Sequence, residues 1–145
     1  MSKYDMNLTP EVDSVDVLVL GYNKGEKLIL PISDRFDIHS TTHISEKRVV
    51  NAIGDLWRNL APGEQDRCHI PPYGLRFHQG DTKILEASIC WECNNIWITL
   101  PDGAAGYSFD GKSESAQKLL RLLRYLSGEY LKHNPGTALS LDDYL

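Results

Sequence analysis

The chain has little cysteine, methionine or phenylalanine: three, two and three residues in 145. No apolar run approaches the roughly 18 residues that a membrane-crossing helix needs. The first residues, Met1-Ser2-Lys3-Tyr4-Asp5, lack the apolar core of a secretion signal. These absences lead us to expect a cytoplasmic protein with no membrane partner. Excess positive charge is missing as well. The formal net charge is −5, which argues against sequence-independent nucleic-acid binding, because that needs a basic footprint. A neutral or basic partner fits better. There is no internal repeat, low-complexity tract or long linker. The 41% hydrophobic and 24% charged residues are ordinary for a globular protein. A chain of this length is most simply one domain with a conventional core, here with a loose tail from about residue 134.

Hydrophobic periodicity gives the elements. Val15 to Leu20 is a valine-rich apolar run that ends at Gly21, and Lys27 to Ile32 is a second one. Across the turn residues 21–25 they read as an N-terminal hairpin, with Pro31 favouring an edge. Ser33 to Thr42 is polar and reads as a loop. From Ser45 the period changes: Val49, Val50, Ile53, Leu56, Trp57 and Leu60 recur at helical spacing. Ser45 is the expected N-cap, and Ala61-Pro62-Gly63 the stop. Residues 75–79 and 82–86 flank Gly80-Asp81 as a hairpin with a two-residue turn. Ile96 to Leu100 reads as a strand, and the glycine-rich stretch from Gly103 to Gly111 as a loop. Ser113 caps a second helix with Ala116, Leu119, Leu120, Leu122, Leu123 and Leu126 on one face, stopped by Gly128. One more helical turn is expected at Tyr130-Leu131. The order predicts an α+β fold: a mainly antiparallel sheet of about five strands covered by two amphipathic helices.

The chemistry concentrates at Cys68, Cys90 and Cys93. With Gln79 opposite Thr82, Phe77 is expected opposite Ile84, and Cys68 falls opposite Cys93. Pro71 and Pro72 must interrupt that ladder, since neither donates a backbone hydrogen bond. Cys90 and Cys93 would point to opposite faces of a continuous strand. They converge only if Trp91-Glu92 form a turn, which Asn94 and Asn95 make feasible because both tolerate left-handed backbone.

Three readings follow. Zinc needs four thiolate or imidazole ligands; Cys68, Cys90 and Cys93 supply three, and His69 or His78 would be the fourth. Thiol redox chemistry favours a Cys-x-x-Cys at a helix N-terminus, whereas this one lies between strand-like runs and encloses Glu92. The third is a plain buried cluster, with Cys68 touching Cys93.

Other candidates carry less. His39 and His43 have helical ligand spacing but read as surface histidines. Asp34, Asp37 and Glu46 have no acid–base partner fixed by spacing. Neither Gly103–Gly106 nor Gly111-Lys112-Ser113 has the pattern of a phosphate-binding loop. Trp57, Trp91 and Trp97 read as core, or as a partner-binding patch if exposed beside the tyrosines.

The segment Cys68-His69-Ile70-Pro71-Pro72-Tyr73-Gly74-Leu75-Arg76-Phe77, followed by Ile89-Cys90-Trp91-Glu92-Cys93, resembles a group of small, mostly uncharacterised bacterial proteins. They share a Cys-x-x-Pro-x-x-Gly-aliphatic segment, a hairpin, and an Ile-Cys-aromatic-x-Cys strand. The resemblance covers about the middle quarter of the chain, with looser similarity in the leucine-rich helix after Ser113. Members often carry Arg and His before the glycine, where this chain has Pro72 and Tyr73. The resemblance implies that the three cysteines belong together and implies no activity.

The profile as a whole is that of a non-enzymatic, acidic protein-binding module. Immunity proteins that neutralise a basic bacterial toxin are of this kind, working by electrostatic complementarity. The contact candidates are Asp34, Asp37, Glu114, Asp142 and Asp143. The alternative is a zinc-binding or thiol-redox protein centred on the three cysteines. No other cofactor is expected.

Overall fold

A computed structural model describes residues 2–25, 30–129 and 140–145. Its frame is one seven-stranded sheet: β1 (Ser2–Lys3), β2 (Ser14–Asn23), β3 (Phe36–Ile44), β4 (Tyr73–Gln79), β5 (Thr82–Cys90), β6 (Asn95–Leu100) and β7 (Gly103–Ser108). The strand order is β1-β7-β6-β5-β4-β2-β3. Only the β1–β7 pair is parallel; the other five are antiparallel.

Alternation along β2 sorts its residues between the two faces. Val15, Val17 and Val19 join one large core with Leu75, Phe77, Ala87, Ile89, Ile96 and Ile98. That face is covered by α2 (Lys47–Arg58) and α3 (Glu114–Leu126). Trp57 of α2 is wholly buried against Phe77, their ring centres 5.2 Å apart and nearly edge-on. Leu119, Leu120, Leu122 and Leu123 bring α3 into the same core. The residues of opposite parity, Leu18 and Leu20, pack with Ile32 and Phe36 in a separate small cluster. Ile32 belongs to α1, a single turn at Ile32–Arg35. The sheet thus has a thick helical layer on one side and a thin cover on the other.

The α+β class and the mainly antiparallel sheet agree with expectation, but the strand count and pairing differ. Among the described residues β2 pairs with β3, which lies in the stretch expected to be a polar loop. Ile32 starts α1 instead of ending a strand, while Lys27, Leu28 and Ile29 lie outside the described residues. The physical reason is position. β3 is an edge strand, so His39, Ser40, Thr41 and His43 stand in solvent and dilute the apolar signal. A second correction concerns Gly103–Ser108, a strand and not a loop. Its small residues face larger ones, Gly106 opposite Trp97 and Ala105 opposite Ile98.

The helix starts differ as well. Ser113 caps α3 by accepting from the Ala116 N–H, as expected. The cap of α2 is Glu46, not Ser45, because β3 runs to Ile44 and helical backbone begins only at Lys47. Gly128, at φ 79°, ends the second long helix as expected. The expected turn at Tyr130-Leu131 lies outside the described residues, as does most of the tail. Residues 141–144 form a 3₁₀ turn, and Leu141 packs against the main core.

Candidate functional site

Loop 59–72 leaves α2 and returns to the sheet at Tyr73. On the way it crosses the thinly covered face at the ends of β5 and β6. The β4–β5 hairpin turns at Gly80, φ 58°, with Gln79 opposite Thr82 as expected. A bulge between His78 and Phe77 then shifts the register by one, so Phe77 faces Leu85 and not Ile84. Cys68 lies outside the ladder altogether, since β4 begins at Tyr73. It nevertheless reaches Cys93. The two form a disulfide with their Cα atoms 5.6 Å apart.

The turn required for the cysteines to converge is present. Residues 91–94 connect β5 to β6, and Asn94 takes the left-handed conformation at φ 55°. Its amide anchors the turn by accepting from the Gly111 N–H (2.9 Å) and donating to the Glu64 carbonyl (3.2 Å). Cys90 remains a free, wholly buried thiol. Its Sγ accepts from two backbone N–H groups, Cys93 at 3.2 Å and Ile70 at 3.4 Å. The two bridged residues differ: Cys93 is buried, whereas Cys68 is exposed.

His69, next in sequence to Cys68, points into the sheet. Its ring stacks on Trp97 with centroids 3.8 Å apart. Nδ1 lies 2.6 Å from Asn95 Oδ1 and Nε2 lies 2.8 Å from Ser88 Oγ. Asn95 Oδ1 can only accept, so Nδ1 carries the proton and Nε2 accepts from the serine. Burial pushes the imidazole pKa down to about 4; the Arg35 charge acts in the same direction and the Asn95 hydrogen bond opposes it. The Asn95 amide also donates to the Cys68 carbonyl at 2.7 Å, and the Asp66 N–H donates to the Cys93 carbonyl at 2.9 Å. Serine, histidine and asparagine stand in the order of a nucleophile, its base and an orienting amide. Ser88 is wholly buried beneath the loop, so no substrate carbonyl reaches its Oγ in this conformation. The arrangement serves to hold the loop.

Both His69 nitrogens are engaged in hydrogen bonds, so neither is free to act as a fourth ligand beside the sulfurs. His78 is further off, near the other end of β4, with Nε2 2.9 Å from Asp16 Oδ2. Among the described residues no group of three or more His, Cys, Asp or Glu side chains is disposed to hold a metal ion.

A second polar set shares this face. Glu86, almost wholly buried, accepts from Arg76 Nε at 2.6 Å, from the Ile32 N–H at 2.8 Å and from Lys83 Nζ at 3.2 Å. Burial alone would raise its pKa; the Ile32 N–H, Arg76 and Lys83 together reverse that and hold it below the usual carboxylate value. Arg35, also wholly buried, donates to Thr99 Oγ1 at 3.1 Å. This network pins α1 to the sheet, and the sequence reading missed it. Its one available signal was the alternation of Arg76, Glu86 and Thr99 with apolar neighbours on adjacent strands.

The acidic contact candidates do not form one patch. Asp37 pairs with Lys24 at 3.3 Å, and exposed Asp34 sits nearby in α1 on the thinly covered side. Asp142 pairs with Arg48 of α2, and Asp143 accepts from the Ser140 N–H at 2.9 Å. That second pair belongs to the helical side. Glu114 is exposed at the start of α3. Histidines 39 and 43 lie on edge strand β3 and not on a helix. Trp57 and Trp91 are buried and Trp97 is half-buried, so the tryptophans form no exposed patch.

No family profile, no curated protein and no solved structure matches the chain. No helix among the described residues is long and apolar enough to cross a membrane.

Proposed function

We propose that the chain acts by reversible thiol–disulfide chemistry at Cys68 and Cys93, as a redox-responsive binding module. The observation that carries this reading is the asymmetry of the pair: one bridged residue is exposed on a loop, the other buried beside a third cysteine. Access governs which disulfides exchange with external thiols. In the reducing compartment expected from the sequence, an exposed disulfide of this kind is transient or redox-sensing.

The chemistry balances with two equivalents of thiol. A thiolate from a small thiol or a protein dithiol attacks Cys68 Sγ. The bond to Cys93 breaks, and Cys93 departs as a thiolate that takes up a proton. A second thiol attacks the mixed disulfide and frees Cys68, so two external thiols become one disulfide as the protein pair is reduced. The readout would be the hold on loop 59–72, whose exposed Ile70 lies two residues beyond Cys68.

The test is thiol counting across glutathione buffers of graded redox poise. Samples are quenched in acid, unfolded, alkylated and weighed. The reading predicts two species, with one and with three alkylated cysteines, exchanging within the range that glutathione buffers. A single species with three free thiols at every poise would contradict it.

A second reading rests on the net charge of −5 and on the exposed carboxylates of Asp34 and Glu114. In it the chain is an acidic module that neutralises a basic toxin-like domain. The internal pairing of Asp37 and Asp142 leaves it less acidic surface than the sequence promises. Co-purification with a basic toxin domain that is lost on replacing Asp34 and Glu114 by lysine would support it.

A further inference from the structure

Cys90 takes no part in the exchange just described, yet it is placed beside the bond that exchanges. We infer that its thiol is an internal exchange group that attacks Cys93 and moves the disulfide from Cys68–Cys93 to Cys90–Cys93, delivering Cys68 to the surface as a free thiol. The inference rests on the proposed thiol–disulfide reading and assigns the third cysteine a role within it.

Three observations point there. First, the 91–94 turn folds Cys90 back on Cys93, and the Cys93 N–H donates to Cys90 Sγ at 3.2 Å. The attacking sulfur therefore lies against the backbone of the residue it would attack. Cysteines three apart across such a turn have Cα atoms within about 7 Å, inside the reach of a disulfide. Second, the Ile70 N–H also points at Cys90 Sγ, at 3.4 Å. Two backbone dipoles thus face the sulfur on which negative charge must develop, and preorganised donors of this kind stabilise such charge. Third, Cys90 is wholly buried. External thiols and oxidants do not reach it, which leaves its neighbour Cys93 as its available reaction partner.

The step needs no oxidant or reductant. Cys90 gives up its proton and its sulfur bonds to Cys93 Sγ. The Cys68–Cys93 bond breaks, and the electron pair leaves with Cys68, which is then protonated by solvent. One disulfide and one thiol are present before and after. What changes is the location of the thiol, buried at first and exposed at the end. The product pairs two residues of one turn and no longer ties loop 59–72 to the sheet. Around Cys68 the loop would then be held by hydrogen bonds alone, those of Asn95, Asp66 and His69 among them.

The experiment is a trapping assay on the full chain. Air-oxidised protein is incubated with N-ethylmaleimide at neutral pH without denaturant, then digested in acid without reductant and mapped. Wild type is expected to gain one adduct, on Cys68, together with a Cys90–Cys93 linkage. Cys90→Ser is expected to gain none and to keep Cys68–Cys93, with Cys90→Ala as the second variant should serine unsettle the core. An unlabelled wild type, or an adduct on Cys90 with Cys68–Cys93 intact, would overturn the inference. Glutathione reduction of the same proteins is followed in parallel. If both variants lose Cys68–Cys93 as readily as wild type while trapping fails, the redox reading stands and the internal exchange falls. If none of the proteins contains the disulfide, both fall together.

Discussion

His69 shows how one residue ties the loop's position to its protonation. The imidazole is folded away neutral, with its pKa pushed down to about 4 by burial, whereas an unfolded histidine titrates near 6.5. Between those values the unfolded chain binds a proton that the folded chain refuses. Stability is therefore fully present above about pH 6.5 and falls as the pH drops through this window, by about 3 kcal/mol when complete. Urea melts at pH 7, 5.5 and 4.5 should show that loss in wild type. His69→Gln should be less stable at pH 7 and lack the slope between 6.5 and 4. An unchanged slope would mean that His69 is not the buried group responsible.

Glu86 is the second residue with an outsized role. Almost wholly buried itself, it collects Arg76, Lys83 and the Ile32 N–H, with the two cations reaching it from the solvent side. Removing the carboxylate leaves the Ile32 N–H without its acceptor, while Arg76 (22% exposed) and Lys83 (44% exposed) keep contact with solvent, so the loss is about 1–3 kcal/mol. Glu86→Ala should therefore lower stability by that order in denaturant melts and loosen α1. The sequence showed a glutamate among apolar neighbours and nothing more. Its partners come from other strands and from α1, and only tertiary pairing brings them together.

At the scale of elements, the long helices and the β4–β5 turn were legible because their signals are local: period, the Ser113 cap and Gly80. β3 and β7 were not. An edge strand with one solvent side and a strand of small residues both lack the apolar alternation that marks a strand, and their partners supply the missing packing. The bulge after His78 was equally hidden, since no residue there announces it. The cysteine turn was readable as a requirement: Cys90 and Cys93 could meet only through a turn, and Asn94 supplies the left-handed residue.

That turn also depends on Gly111. A Cβ at that position would come within 2.2 Å of the Trp91 carbonyl oxygen and 2.8 Å of Asn94 Oδ1. Gly111→Ala must push the turn away, and strain of this kind costs about 1–3 kcal/mol. Thermal melts would read the loss, and peptide mapping should show slower formation of the Cys68–Cys93 disulfide. The disulfide is an element-scale device as well. It closes a loop with a sequence separation of 25, which by chain entropy contributes about 3 kcal/mol. The β4–β5 hairpin already lies within that loop, so Cys68→Ser should cost somewhat less. A denaturant midpoint identical to that of the oxidised wild type would show that the disulfide adds nothing.

For the whole molecule, the balance of evidence moves from charge to sulfur. The acidic residues that made an electrostatic partner attractive are divided between the two sides of the sheet, and two of them are paired within the chain. The cysteines do the opposite. Residues 68, 90 and 93 converge at one end of β5 and β6, with Cys68 exposed, Cys93 bonded to it and Cys90 a buried free thiol. Cys68 was expected near Cys93 and is bonded to it, although the ladder used to place it there is shifted by a bulge and begins only at Tyr73. Which cysteine stays free was not legible, because it depends on the path of loop 59–72.

The most direct measurement is the covalent and metal state of the purified chain. Protein prepared without chelator or reductant is weighed under native and denaturing conditions, then mapped without reduction. The account predicts a Cys68–Cys93 linkage, one free thiol at Cys90 and no mass lost on unfolding. Three free thiols, with a native excess of one metal ion that disappears on denaturation, would contradict it and make the same cysteines a metal centre.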